Sequence, residues 1–353
     1  MQHIKRAAKQ AVLRAAKASG YFQHVGRSEW RRDRVLILAW HGVSMLDEHE
    51  WNPYLFISPE LLDARLTAIR ETGCTILGLE EAVRRLADRT LPERAVVLTF
   101  DDGYSNFHSH AVPVLQKHQA PATVYLTTYY VDDNRPVPSL SVSYLLWRKR
   151  KNGLARITAV PGFPAADLSQ PAVRDAVQQA FVRHSDSNWF GADEKHALLG
   201  QLARDLHIDI ERFSAEERIL NLMTPNQVAK LPESGVVSVD LHTHRHRVPS
   251  DEALFAREIV ENRDRIAAMT GLSSRHFCFP SGAWSPQMLP WLKQHGVVSA
   301  TTCIHGLAAP GVDPLLLPRF LDGTHTSTVE FEGWLCGFSE RIPSPYKATA
   351  ATA

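Results

Sequence analysis

Two adjacent carboxylates, Asp101 and Asp102, close an apolar run that begins at Ala95, and Gly103 and Tyr104 follow them. A β-branched run of this length reads as a buried strand, and the glycine lets the chain turn sharply behind it. Alternation along a strand sends neighbouring side chains in different directions. One acid can therefore bind a metal while the other handles a proton on the bound water. Asp-Gly is also ordinary turn chemistry, so the doublet alone reads as a surface turn. A second apolar run, Val236 to Leu241, leads into His242, Thr243, His244, Arg245 and His246. Asp102, His242 and His246 would supply one oxygen and two nitrogens, enough for a catalytic metal with one open position. Thr243 is placed to orient one imidazole, and His244 offers a competing ligand pair. The alternative for this cluster is a run of solvated surface histidines.

These residues need strands to carry them. Val35 to Val43 predicts a buried strand with His41 near its end, Thr75 to Leu77 a short one, and Ala122 to Thr128 another. Helices are predicted from Ser58 to Glu71, Leu79 to Leu86 and Ala111 to His118. Strand and helix in alternation imply parallel strands with crossover helices. The rhythm breaks from about 131 to 222, where helical stretches near 171–184 and 192–206 predict an inserted helical subdomain at a barrel mouth. It resumes with the helix cap Thr224-Pro225, a long helix from Glu252 to Met269, strands at His276 to Phe279 and Val297 to Thr302, and a last segment from Leu315 to Arg319.

The 353 residues are 44% hydrophobic, enough for one large elaborated domain. A formal net charge of +1 gives no global reason to expect nucleic-acid binding. Charge is instead concentrated before Val35, where nine Lys and Arg residues face only Glu29 and Asp33. Residues 4–18 read as a helix with Ile4, Ala8, Val12 and Ala15 or Ala16 on one side. Such a helix either lies on an anionic bilayer surface or packs on its own domain. Cys74, Cys278, Cys303 and Cys336 form no CxxC pair, which argues for reduced thiols. Without a secretory core, the expected location is cytoplasmic, peripheral to the inner membrane face. The expected organisation is a basic arm over 1–34, a catalytic domain over 35–335 and a C-terminal tail over 336–353, frayed in its last ten residues.

Thr99 to Tyr104 together with His242 to His246 resembles the first two motifs of the polysaccharide deacetylases, the carbohydrate esterases named after the nodulation chitooligosaccharide deacetylase. The resemblance covers about Val35 to Arg319 outside the insertion. It implies an α/β fold, a distorted (β/α) barrel carrying the helical insertion. It also implies a divalent metal, zinc above others, and hydrolysis of N-acetyl groups from a polysaccharide, oligosaccharide or lipid-linked glycan precursor. Carried over, Asp101 becomes the general base and Asp102, His242 and His246 the metal ligands. A backbone amide near Tyr104, with Pro280 and Gly282 of the third motif, serves the substrate and its oxyanion. Many members carry an arginine where Cys278 stands here. The motif Phe279-Pro280-Ser281-Gly282 is more similar to the biofilm poly-N-acetylglucosamine branch, and Arg319 is then expected to orient Asp101. That branch is permuted, which makes His41 the expected acid, with His305 and His325 as alternatives. The missing arginine also leaves open a second function, a glycan-binding or assembly protein that has lost turnover. Glycosidase chemistry would leave the histidines without a task.

Overall fold

Parallel strands buried on both faces dominate the computed structural model, which describes residues 2–342. They are β1 (Leu36–Trp40), β2 (Thr75–Leu77), β3 (Ala95–Asp102), β4 (Ala122–Leu126), β5 (Val237–Leu241), β6 (His276–Cys278), β7 (Ser299–Thr301) and β8 (Phe320–Leu321). Their order is β7-β6-β5-β4-β3-β1-β8, with β2 also pairing with β3. A single parallel bridge from Thr301 to Leu317 joins β7 to the segment that runs into β8, so the two edges of the sheet meet. The result is the distorted (β/α) barrel, closed at one place by little more than one bridge.

The period-2 pattern of each strand divides inside from outside. Leu36, Leu38, Trp40, Val96, Leu98 and Phe100 cluster with Leu62, Leu66 and Ile69 of the helix α2 (Pro59–Glu71), on the outer face. Ile37, Val97, Tyr125, Cys278 and Leu317 form a separate inner cluster, plugged by Leu79, Ala82 and Leu86 of α3 (Leu79–Ala87). The inner series continues upward to His41, Asp101 and Arg319 at the C-terminal mouth. Ser58 caps α2 through the Leu61 amide, and Thr224 forms a full capping box with Gln227.

The insertion contains α4 (Pro138–Arg148), α5 (Pro171–Ser187) and α6 (Ala192–Asp205). Of these, α4 was not legible from the residue pattern. Val142, Leu145, Val177, Phe181, Leu199 and Leu202 belong to the same contiguous core as the barrel's outer face. Tyr144 Oη donates to Asp47 Oδ1 at 2.5 Å and Trp51 Nε1 to Ser143 Oγ at 3.3 Å, tying α4 to the loop after β1.

Both chain ends differ from the expected arm and tail. The first helix, α1 (Gln2–Ala18), packs on α8 (Thr328–Leu335). Lys9 pairs with Glu330 and Lys17 with Glu332. The face that packs carries Leu13, fully buried, and Ala16, while Ala8, Val12 and Ala15 are exposed. Arg31 is wholly buried and donates to Leu335 O and Ala95 O, so residues up to 34 are part of the barrel's outer wall. Cys336, Phe338 and Ile342 pack with Leu13 and Phe22, so the first part of the expected tail, 336–342, is docked on the domain. The remainder of the tail, 343–353, with the ten residues expected to be frayed, lies outside the described residues.

Candidate active site

Asp101, at the end of β3, is 3% exposed and held by a fork of two bonds from a fully buried Arg319. Arg319 Nη1 donates to Asp101 Oδ1 at 2.7 Å and Nη2 to Oδ2 at 2.8 Å. The guanidinium is itself fixed by Thr302 O at 3.1 Å, Thr99 Oγ1 at 3.2 Å and Cys278 Sγ at 3.1 Å. Burial alone would raise the Asp101 carboxyl, but Arg319 brings it below its ordinary range, so it stays ionised. Cys278 is kept neutral, because burial pushes its thiol well up. The positive charge beside Asp101 thus comes from the strand-closing segment 317–321.

Asp102 would face away from Asp101 if the strand ran on regularly. It instead adopts a left-handed φ of 71°, which turns its carboxylate into the mouth. Gly103 follows at φ 87°, and a Cβ there would collide with Leu126. His246 and Thr243 are left-handed as well, at 55° and 60°. Backbone of this kind clusters at functional sites because the surrounding structure must hold it.

Three acceptor atoms converge. Asp102 Oδ1 lies 3.3 Å from His242 Nε2 and 3.3 Å from His246 Nε2, yet this buried oxygen has no hydrogen-bond partner among the described residues. His242 Nδ1 is 2.9 Å from Cys278 O, a contact that requires the N–H on Nδ1 and leaves the Nε2 lone pair facing Asp102. Burial lowers the His242 pKa, but Asp102 and Asp101 raise it further, and burial raises Asp102 while the two imidazoles hold it well below its usual range. The mouth therefore gathers two carboxylates, one of them opposite two imidazole nitrogens, where a positive charge is stabilised. One oxygen and two nitrogens, an orphaned buried oxygen and a fixed tautomer together fit a divalent ion. Asp101, His242 and Cys278 also lie close enough to share an ion, but that grouping needs a thiolate, and it competes with Arg319 for Asp101.

His244 is not part of this set. Its Nδ1 is 2.8 Å from Thr128 Oγ1 and its Nε2 3.8 Å from Glu261. Thr243 does not orient an imidazole; its hydroxyl accepts the Arg247 amide at 3.0 Å. The bracing comes from the helix α7 (Glu252–Thr270), whose buried stripe includes Glu258 and Asn262. Asn262 accepts the His242 amide at 2.9 Å and donates to Leu126 O and Thr128 Oγ1. Glu258 accepts the Arg245 amide at 2.7 Å. Neither residue was singled out from the sequence, although two polar groups on the apolar stripe of a helix were the available signal.

His41 Nε2 is 4.0 Å from Asp101 Oδ2 and its side chain is 17% exposed, at the mouth. His305 packs against Phe320 and Trp334, and burial followed by Lys9 pushes it down to about 4, so it carries no proton to give near neutrality. His325 is stacked on Tyr54 and contacts Pro53 O. Tyr104 bridges to Leu222, its neighbours making the flanking bonds Ser105 N to Asn221 O and Met223 N to Gly103 O. In this antiparallel pattern the Tyr104 N–H points away from 221–223. Pro280 and Gly282 lie in the turn after β6, where Gly282 has φ 68° and a Cβ would come within 2.7 Å of Cys303 Cβ.

Parallel barrel strands that deliver an Asp doublet and a histidine pair to their C-terminal mouth place these residues where barrel enzymes carry their active sites. Residues 88–179 and 193–300, more than half of the chain, match the polysaccharide deacetylase family, and the protein belongs to it. Members of this family hydrolyse N-acetyl amide bonds. A stretch of 96 residues is 35% identical to the poly-beta-1,6-N-acetyl-D-glucosamine N-deacetylase of Escherichia coli K12, which is the biofilm branch the third motif resembles. That stretch is 26% of this chain and spans 14% of the enzyme's length. In fold the chain is similar to the Streptococcus pyogenes deacetylase PplD, at TM-score 0.56 and 19% identity over 86% of this chain and 98% of that one. It is similar also to IcaB from Ammonifex degensii, at 0.53 and 18% over 87% and 97%.

Proposed function

We propose that this protein is a metal-dependent N-deacetylase of N-acetylglucosamine-containing glycans. The observation that carries the reading is the convergence of Asp102 Oδ1, His242 Nε2 and His246 Nε2 beside an ionised, arginine-held Asp101. Asp102, His242 and His246 would hold the ion, zinc by its oxygen and nitrogen ligands, and it would supply a water of lowered pKa, about 7, and polarise the acetyl carbonyl. Asp101 accepts the proton of the attacking water, with Arg319 fixing the direction of its lone pairs. The Tyr104 amide faces the negative charge that develops on the acetyl oxygen. His41 delivers a proton to the departing amine nitrogen. The inactive glycan-binding alternative rested on the absent arginine at Cys278, and the Arg319 fork onto Asp101 removes that ground. The test is acetate release from N-acetylglucosamine oligomers. Activity is expected to vanish on chelation and return with zinc; acetate release untouched by thorough chelation would overturn metal dependence.

The acid role of His41 has its own signature. An amide needs its nitrogen protonated, whereas an activated ester leaves without help. His41→Ala is expected to lower amide hydrolysis by about 10²-fold or more while an activated acetate ester loses far less. Equal loss on both substrates would make His41 a structural residue.

We further propose a peripheral seat on the anionic cytoplasmic membrane face, where a lipid-linked precursor would be met. Arg6, Arg14, Arg27 and Arg32 are exposed, and so is the apolar stripe of Ala8 and Val12. Deleting 1–34 would remove the buried Arg31, so charge reversal of Arg14, Arg27 and Arg32 is the cleaner test. The variant is expected to lose binding to phosphatidylserine vesicles at low salt. Vesicles ignored by the wild type would contradict the proposal.

A further inference from the structure

Beside the His242–His246 loop lies a cavity of about 360 Å³, within the usual range for small-molecule sites of about 300–1,000 Å³. Its near wall is Tyr129, Tyr130, Arg245 and Arg247, the two arginines flanking His246 in sequence. Its far wall is built by the insertion, with Phe181 and Ser185 of α5, Phe190, and the start of α6. Ser185 is 2% exposed and its Oγ has no hydrogen-bond partner among the described residues, although it lines this cavity. A buried hydroxyl left unmade is costly, and a polar ligand would satisfy it.

Trp189 lies in the chain between Asp186 and Phe190, both of which line the cavity. The residue is 93% exposed, and its φ of 55° occupies the left-handed position after α5 where glycine normally ends a helix. Folding gives no reason for a tryptophan there. The stretch 180–192, which supplies Phe181, Ser185, Phe190 and this tryptophan, falls between the two stretches that match the family. The part of the cavity wall from Phe181 to Ala192 thus lies outside the stretches that match the family, while Tyr129, Tyr130, Arg245 and Arg247 lie inside them.

The charges select the ligand. Arg245 is committed to Glu258 and Glu261, and Lys195 is faced by Asp186 at 3.7 Å. Arg247 is exposed and makes no side-chain ion pair among the described residues. One free guanidinium, a lone hydroxyl and several aromatic rings suit a neutral ring with an apolar face and polar edges better than a phosphorylated or otherwise anionic group.

We propose that this cavity and Trp189 hold a further N-acetylated sugar of the glycan chain, next along from the unit at the Asp102–His242–His246 site, so that the insertion selects polymer over short fragments. The inference rests on the deacetylase reading. It is tested by titrating hexamers and dimers of N-acetylglucosamine, β-1,4- and β-1,6-linked, into full-length protein carrying Asp101→Asn to suppress turnover. Adding Ser139→Trp, at an exposed position on the rim, fills the cavity without touching the core. Hexamer binding is expected to weaken by about tenfold and dimer binding by less than twofold, with Trp189→Ala changing in the same direction. Both variants should melt with their parent. Hexamer binding unaffected by either variant, or hexamer and dimer weakened alike, would overturn the cavity's role while leaving deacetylation intact. Failure of the wild type to release acetate from any oligomer would instead overturn the reading beneath it.

Discussion

Asp101→Asn is expected to retain the metal of the wild type and to lose turnover by about 10²- to 10⁴-fold, the range for a lost general base. Asp102→Ala is expected to lose both. The two acids are neighbours in sequence, yet the fold gives them opposite partners. Asp101 is answered by a guanidinium on both oxygens, while Asp102 is answered by two imidazole nitrogens and keeps one oxygen unsatisfied. A carboxylate already forked by arginine gains little from a cation, whereas an orphaned oxygen between two nitrogen lone pairs gains much. Asparagine at 101 still accepts one bond from Arg319, so the loss should appear in rate before it appears in folding. Metal content measured by atomic emission alongside acetate release separates the two roles. A metal content that falls with rate in Asp101→Asn would exchange them.

Removing the other half of that pair should act on stability. Arg319→Ala leaves the Asp101 carboxylate buried without its counter-charge, and breaking a buried ion pair from one side typically costs about 3–5 kcal/mol. Arg319 also donates to Thr302 O and Thr99 Oγ1, so its loss opens the place where the barrel closes between β7 and β8. Arg319→Lys keeps a charge but not the planar fork, and it cannot make all these bonds at once. Lysine is therefore expected to recover part of the stability and little of the rate. Urea melts and acetate release on the same preparations check both. A lysine variant as active as the wild type would show that charge alone, and not its direction, matters to Asp101.

Much of this was legible from residue order because the relevant signals are local. β3, β4 and β5 are apolar runs with chemistry at their ends, and the Ser58 and Thr224 caps mark their helices unaided. What escaped depends on distant contacts or on broken local rules. Alternation sends Asp101 and Asp102 apart, and only the left-handed turn at Asp102 brings both to one mouth. The buried face of α1 is set by Leu13 meeting α8 more than 300 residues later, so the stripe chosen on composition, through Ala8 and Val12, proved to be the exposed one. Asn262 supports His242 from a helix 20 residues on, a relation that spacing does not express.

The account stands most directly on where a divalent ion sits. An anomalous difference map at the zinc edge, from crystals of the full chain grown with zinc, is predicted to show one peak bonded to Asp102 Oδ1, His242 Nε2 and His246 Nε2, with Asp101 still forked by Arg319. A peak bonded instead to Asp101, His242 and Cys278, or to His244, would contradict it, as would a fully occupied crystal with no peak at the mouth.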